Sequence, residues 1–314
     1  MENIFKNISI FTPGVELNKE INREGKHVPP FDKKFPIIMD LHRFEHDFIL
    51  TPNYHDYLEI GYISEGKGFL NVGNKKYVIK KDDIVIISNF EVHTFTTSKN
   101  QFFDLAVIYF MPELIFNPGS INLDFDYLKP FFYRSDNFSH IIHPEKINSS
   151  EILSLFEKIY ELSNKKTSNY KLEIKIYLME MLIKILNYYE NVGIKKSGVY
   201  SKKLENLSRL KDLISYIQND YNSAITLEEA AKMVSISTHY FCKFFKQVMG
   251  KTFINYVLSV RIDRAKEILF SEKISVTSVA YKVGFGNLSY FHRKFKEFTG
   301  FRPNEFRQKV RNNK

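Results

Sequence analysis

Between residues 37 and 110 the apolar positions fall in short runs separated by turn-forming residues. Segments 37–41, 59–64, 68–72, 75–79, 84–87 and 103–110 are rich in Ile, Val, Phe and Tyr. Glu65-Gly66, Val72-Gly73-Asn74, Lys81-Asp82-Asp83 and Ser88-Asn89 stand between them. β-Branched and aromatic runs bounded by Gly, Asn and Asp predict strands. Strands this closely spaced predict a small antiparallel barrel or double-sheet roll, spanning about 35–112. Its interior is where a small ligand would sit.

The spacing changes further on. Ile152, Leu155, Phe156, Ile159 and Tyr160, then Leu172, Ile176, Met179, Leu182, Ile183, Leu186 and Tyr189, recur at helical intervals, which predicts two helices within 149–192. Residues 193–206 begin with Gly, Ser and Lys in the proportions of a linker. The pattern divides the chain into a sensing and dimerisation unit at 1–192, the linker, and a helical unit at 207–314.

The helical unit contains a repeat. Segments 227–250 and 276–300 align at an offset of 50 from Phe241 and Phe291 onward, pairing Lys243 with Arg293, Phe245 with Phe295, Lys246 with Lys296 and Gly250 with Gly300. Upstream the offset is 49, so the second copy is one residue longer at its turn. Each copy predicts a short helix, a turn and a second helix. In the first, Thr226 caps a helix bearing Leu227, Ala230, Ala231 and Val234, and Ser235-Ile236-Ser237 turns the chain. Ser237 or Thr238 caps the next helix, which buries Phe241, Phe244, Phe245 and Val248 and ends at Gly250. In the second, Gly284-Phe285-Gly286 makes the turn, and Phe291, Phe295 and Phe298 are expected to face the core. The opposite faces carry His239, Cys242, Lys243 and Lys246, then Leu288, Ser289, His292, Arg293 and Lys296. Between the copies, Tyr256, Val257, Val260, Ala265, Ile268 and Leu269 form the apolar stripe of one connecting helix. Such a rod, roughly 24 Å long, can set two recognition helices near the ~34 Å repeat of one DNA turn.

Charge sharpens this picture. The chain carries 45 Lys+Arg and 36 Asp+Glu, a net +9. Residues 205–314 hold 19 Lys+Arg and 10 Asp+Glu, so the whole excess lies with the repeat and the remainder is balanced at 26 each. That asymmetry assigns an anionic partner to the C-terminal unit alone. The single Cys242 leaves no intramolecular disulfide and no Cys-based zinc cluster. Neither a basic-then-apolar leader nor a run of roughly 20 apolar residues is evident, so the expectation is a cytoplasmic protein with no membrane partner.

The C-terminal segment, about 208–310, resembles the DNA-binding domain of the AraC/XylS family of bacterial transcription regulators. Gly250, Phe253 and Tyr256 lead into Arg261, Arg264, Ala265 and Leu269, which match the family's connecting helix. Val279-Ala280, Val283-Gly284-Phe285, Ser289-Tyr290-Phe291, Phe295-Lys296 and Gly300-Phe301-Arg302-Pro303 match its second-copy signature. The resemblance implies that both second helices enter the major groove of double-stranded DNA. Base-edge contact is carried over to His239, Cys242 and Lys243, and to Leu288, Ser289, His292 and Arg293. Lys246 and Lys296 are expected at phosphates. Cys242 is a poor base reader, so selectivity is expected to rest more on the second copy.

The N-terminal spacing resembles the cupin-type sensor barrel that precedes many such domains. The residues that carry it are His55 and Glu59, Gly66 and Gly68, Asp82-Asp83-Ile84, and Glu91-Val92-His93. Metal-binding cupins have a further His where this chain has Asn53. The remaining His55, Glu59 and His93 could hold a divalent ion, but they are expected as structural or effector-contacting groups, with no metal and no cofactor assigned. The resemblance implies a homodimer joined through the helices at 149–192, a non-enzymatic regulator responding to a small molecule such as a sugar, and activation by contact with RNA polymerase. Two other readings stand beside it. One is a metal-dependent cupin enzyme fused to a DNA-binding domain, against which the incomplete ligand set weighs. The other is a constitutive DNA-binding dimer whose barrel senses nothing.

Overall fold

A computed structural model describes residues 5, 11–32, 34–115, 127–132, 138–192 and 198–312. The chain separates into two units, Met1–Ser201 and Lys202–Lys314. No helix among the described residues is long and apolar enough to cross a membrane.

The first unit is built on a sheet. Its strands are β1 (Thr12–Pro13), β2 (Ile37–Glu45), β3 (Leu58–Val72), β4 (Lys75–Lys80), β5 (Ile84–Ile87), β6 (His93–Thr96), β7 (Phe102–Phe110) and β8 (Ile141–Ile142), with a short helix α1 (Gly14–Lys19) before β2. The strand order is β1-β2-β7-β3-β5-β8, and β4 and β6 also pair with β3. The fifteen-residue β3 belongs to two sheets: its first half pairs with β5 and β7, and its second half pairs with β4 and β6. The expected strands 59–64 and 68–72 are therefore one strand, and Glu65-Gly66 is not a turn. The register with β7 shifts between Ile63 and Glu65, forming a bulge. Gly66 sits there at φ 79°, and a Cβ on it would lie 2.1 Å from the Phe102 carbonyl oxygen. The kink lets one strand serve both walls of a roll.

The runs Ile84–Ile87 and Leu105–Phe110 are apolar on consecutive residues because both sheet faces are covered. Phe44, Ile63, Val85, Ile87, Phe103, Leu105, Val107 and Tyr109 meet inside the roll. The other face receives helices. Phe110 packs edge-on against Phe131 of α2 (Lys129–Phe132), and Tyr62 lies 5.9 Å, ring to ring, from Phe156 of α3 (Ser149–Lys165). Helix α4 (Tyr170–Asn191) packs along α3 and buries Ile174, Leu178, Met181, Leu182, Ile185 and Tyr189. Much of the stripe read on this helix faces away from α3: Leu172 is 62% exposed, Ile176 54% and Ile183 41%. Two apolar stripes share α4, and only packing against α3 decides which one is core.

The second unit is all helical: α5 (Gly198–Asn219), α6 (Leu227–Met233), α7 (Thr238–Met249), α8 (Phe253–Ser271), α9 (Val276–Lys282), α10 (Leu288–Thr299) and α11 (Pro303–Asn312). Of the expected linker, 193–197 lie outside the described residues, and 198–206 form the first turns of α5. The buried Leu210, Leu213, Ile214 and Ile217 anchor that helix, and the Lys, Leu and Glu of 202–205 are good helix formers that extend it backward. In α10, Phe291 and Phe295 are fully buried as expected, but Phe298, in the last turn before Gly300, is 40% exposed.

Candidate nucleic-acid interface and buried polar cluster

The two helix–turn–helix copies are closed by the same local devices. Thr226 accepts from the Glu229 amide while the Glu229 carboxylate accepts from the Thr226 amide, a reciprocal cap on α6. Ser237, Ser275 and Asn287 each accept from the backbone amide three residues on, capping α7, α9 and α10. At the first turn the Ser235 amide bonds to the Lys232 carbonyl and the Ile236 amide to the Ala231 carbonyl. At the second, Gly284 bonds to Tyr281 and Phe285 to Ala280 in the same pattern. Both turns need a left-handed residue, supplied by Ser235 at φ 59° and Gly284 at φ 86°. Their 49-residue offset is the one visible in the sequence, so the aligned positions do the same backbone task.

Inside, the aromatic positions of α7 and α10 lock each helix against α8 or its neighbours. Phe241 and Phe245 pack on Phe253, and Phe245 also on Tyr256. Phe291 packs on Phe285, and Phe295 on Phe306. That packing orients the opposite faces outward. His239, Cys242, Lys243, Ser289, Arg293 and Lys296 are exposed, while Lys246 and His292 are half-buried. Leu288, expected to face out, is partly buried against the second-copy core. Helix α7 contains no acidic residue, and the one acid of α10, Glu297, is held by Lys294 at 2.9 Å. Lys243 and Lys296 form no ion pair among the described residues, and the Arg293 guanidinium lies 5.2 Å over the Tyr290 ring. Some cations elsewhere in this unit are neutralised: Lys282 by Glu272, Arg264 by Glu267 and Lys266 by Asp263. The two outward faces thus keep unneutralised positive charge, which an anionic backbone would meet.

The first unit holds a different kind of site. In the register of β2 with β7, Asp40 opposes Val107, His42 opposes Leu105 and Phe44 opposes Phe103. Glu59 on β3 opposes Tyr109 and Ile87. Val107, Leu105, Phe103, Tyr109 and Ile87 line the inside of the roll, so Asp40, His42 and Glu59 point inward as well. His55, just before β3, and His93, at the start of β6, complete a fully buried trio with Glu59. The His55 Nε2 lies 3.1 Å from the Glu59 Oε2, and the His93 Nε2 lies 3.7 Å from the same oxygen. Their other ring nitrogens face backbone carbonyls: His55 Nδ1 donates to Tyr57 O at 2.9 Å and His93 Nδ1 to Glu91 O at 3.0 Å.

Burial governs the charge states. It pushes the His55 imidazole down to about 3 and His93 below its usual range, with Glu59 opposing the shift at His93. It also pushes the Glu59 carboxyl up, against the pull of His93. The short His–Glu contacts are therefore not ordinary ion pairs. Asn53, buried beside the trio, bonds to His93 through both backbone groups, and its side-chain amide donates to the Thr51 carbonyl.

The sequence pattern missed several members of this cluster. His27 bonds the Tyr57 hydroxyl through Nδ1 and Glu20 through Nε2, 2.9 Å away. The Tyr57 ring stacks on His55 at 3.7 Å. His42 is 5% exposed and neither ring nitrogen has a hydrogen-bond partner. Alternation along β2 could have signalled Asp40 and His42, since they share a face with Phe44. Nothing local could have signalled His27, which reaches the roll from a segment before β2.

Comparisons with known proteins agree with this division. Residues 41–182 match the model of an AraC-like ligand binding domain, and residues 230–309 match that of a helix-turn-helix domain. The HTH-type transcriptional regulator YdeC of Bacillus subtilis is 24% identical over 82% of this chain and 85% of its own. The Msm operon regulatory protein of Streptococcus mutans is 24% identical over 83% of this chain and 88% of its own. An HTH-type transcriptional regulator encoded in the cgkA 5' region of Pseudoalteromonas carrageenovora is 37% identical over 36% of this chain and 67% of its own.

Proposed function

Because the chain belongs to the AraC-type family of transcription regulators, we propose that α7 and α10 read successive major-groove segments of one operator and that a small molecule in the sheet roll biases this reading. The observation that carries the DNA part is the pair of outward faces bearing the exposed Lys243, Arg293 and Lys296, set on helices fixed by buried aromatics. In this reading Arg293, Ser289, His292 and Leu288 contact base edges on the second helix, and His239, Cys242 and Lys243 on the first. Lys246 and Lys296 meet phosphates. Arg293 is the residue with a fork suited to guanine.

The effector reading rests on the inward polar groups. A roll that needed only to fold would bury apolar side chains there. Instead it buries His42, Glu59, His55 and His93 with Asp40 half-buried, and both His42 nitrogens lack a protein partner. A polar small molecule, such as a sugar, suits this lining. An effector that binds one arrangement of the protein better than another shifts the population between them. The chain acts in the cytoplasm as a regulator rather than an enzyme, and contact with RNA polymerase and activation are the mode the family resemblance suggests.

Homodimerisation is assigned to α4. Leu172, Ile176, Met179, Ile183 and Leu186 follow one another at the alternating spacing of a two-helix seam, and three of them are exposed. A second copy of the same helix is the complementary occupant.

The test is selection of DNA from a random-sequence pool by the full-length protein, repeated with Arg293→Ala. The wild type is expected to enrich a long bipartite sequence, and the variant to lose preference at one position of one half. An unchanged preference would remove α10 from the reading role.

A further inference from the structure

We propose that Tyr290 is a positioning residue for Arg293: its ring holds the guanidinium in place on α10 while leaving the N–H donors to a base edge. The proposal rests on the reading of Arg293 as a base contact. The Arg293 Cζ lies 5.2 Å over the centre of the Tyr290 ring. The two residues stand three positions apart on one helix, so their side chains share a face. The electron-rich face of a ring attracts a cation without engaging its N–H groups one by one. A carboxylate partner would instead take up two of the donors that a guanine needs. The one acid of α10 is Glu297, four positions beyond Arg293 and so within its reach, and Lys294 holds it at 2.9 Å.

The ring is itself fixed. The Tyr290 amide donates to the Asn287 Oδ1 at 2.8 Å, in the cap of α10. Its ring centre lies 6.0 Å from that of Phe285, a core residue only 3% exposed. Tyr290 is half-buried and Arg293 exposed, so the ring joins the core to a cation at the surface. A free arginine side chain samples many rotamers, and ordering them at an interface costs affinity. A fixed ring that restricts those rotamers beforehand lowers that cost. The first copy shows what happens without the device. Tyr240 and Lys243 stand at the positions of Tyr290 and Arg293, but the Tyr240 ring stacks on Phe244, with centres 5.9 Å apart and planes 11° apart. Lys243 brings a point charge on a flexible stem, not a planar fork. The same tyrosine serves packing in one copy and orientation of a reading side chain in the other.

The experiment uses the full-length protein and the DNA it selects from a random pool, at one fixed salt concentration. Each base pair of that DNA is substituted in turn, and binding is titrated for the wild type, Arg293→Ala, Tyr290→Leu, Tyr290→Phe and the double variant Tyr290→Leu/Arg293→Ala. Tyr290→Leu, shown to be folded by circular dichroism, is expected to lose about 3- to 10-fold of the discrimination at the base pair that Arg293→Ala affects, with binding to random DNA unchanged. Tyr290→Phe keeps the ring face and should keep the discrimination. In the double variant the loss of Tyr290 should cost nothing beyond Arg293→Ala. If Tyr290→Leu does not fold, Tyr290→Met removes the ring with a more adaptable side chain and is read in the same way. Full discrimination in the folded ring-less variant, beside its loss in Arg293→Ala, would overturn the proposal and leave the reading by Arg293 standing. A loss in Tyr290→Phe, or an effect of Tyr290→Leu that persists without Arg293, would also overturn it, by giving Tyr290 a DNA contact or a helix-supporting role of its own. Unchanged discrimination in Arg293→Ala would defeat the base-reading assignment itself, and the proposal with it.

Discussion

The Arg261 guanidinium donates to the carbonyl of Gly284 at 2.8 Å, tying the connecting helix α8 to the turn of the second helix–turn–helix copy. The same side chain donates to Tyr221 O at 2.8 Å and Ser223 O at 2.9 Å, in the loop that precedes the first copy. One residue on the connecting helix therefore holds both halves. Gly284 fits against this loop so closely that a Cβ would lie 2.8 Å from the Asn222 Cα.

Arg261→Met is expected to destabilise the C-terminal unit by about 1–3 kcal/mol, because three half-buried carbonyls lose a charged donor. Arg261→Lys keeps the charge but not the fork, and should recover only part of that loss. Urea unfolding of the full-length protein, followed by circular dichroism, checks both. Equal stability of all three proteins would show that the clasp carries no energy.

The two turns invite opposite substitutions. Ser235 holds a left-handed conformation at φ 59° that a side chain disfavours, so Ser235→Gly should raise stability by about 0.5–1 kcal/mol, after the entropy cost of glycine in the unfolded chain. Gly284→Ala meets both the left-handed strain and the Asn222 backbone, and should cost more than about 2 kcal/mol. Thermal unfolding of each variant gives the sign directly.

Lys246 and Lys296 are expected to act on DNA through charge. Lys296→Ala should weaken binding to all sequences alike and lower the slope of log K against log salt by about 1. Arg293→Ala should instead discriminate, costing about 1–3 kcal/mol on the preferred sequence and little on random DNA. Binding titrations at several salt concentrations separate the two behaviours.

The exposed stripe of α4 predicts an oligomeric difference without a folding difference. Ile176 is 54% exposed, so Ile176→Asp should leave the fold and its circular dichroism intact while converting a dimer to a monomer in sedimentation velocity. A wild type that is already monomeric at micromolar concentration would remove α4 as the dimer face.

His42 sets part of the acid limit. Burial pushes its imidazole from the ordinary 6.5 down to about 3, so above pH 6.5 it is neutral whether the chain is folded or not. As pH falls below that value the unfolded state takes up the proton first. Stability then drops by about 1.4 kcal/mol per pH unit until the folded-state value is reached. His42→Leu should remove this contribution, giving a shallower fall in denaturant midpoint between pH 6 and pH 4, roughly the window set by the two states.

Legibility in the sequence differed between the units for a physical reason. The repeat was readable because a helix–turn–helix is closed by local rules: caps at Thr226, Ser237 and Asn287, left-handed turns at Ser235 and Gly284, and aromatics at helical spacing. The roll was harder. Strand β6 was missed because His93–Thr96 is short and mostly polar, unlike the equally short but wholly apolar β5, and β3 was cut in two because Glu65-Gly66 has the composition of a turn while acting as a bulge. The α4 stripe was found but its direction was not, since Leu172 and Ile174 are equally apolar and only the position of α3 distinguishes them.

Sequence alone determined the class of this protein: a sheet-rich unit followed by a duplicated helix–turn–helix unit that carries the whole net charge. Those features depend on periodicity and on residues within a turn or two of each other, which a linear chain records. Tertiary structure alone decided what the interior of the roll contains. His27, His42, His55, Glu59 and His93 come from separate segments, and nothing in their spacing states that His55 and His93 aim Nε2 lone pairs at one carboxylate oxygen. That convergence depends on strand register and on the backbone carbonyls behind each ring, which exist only once the sheet has closed.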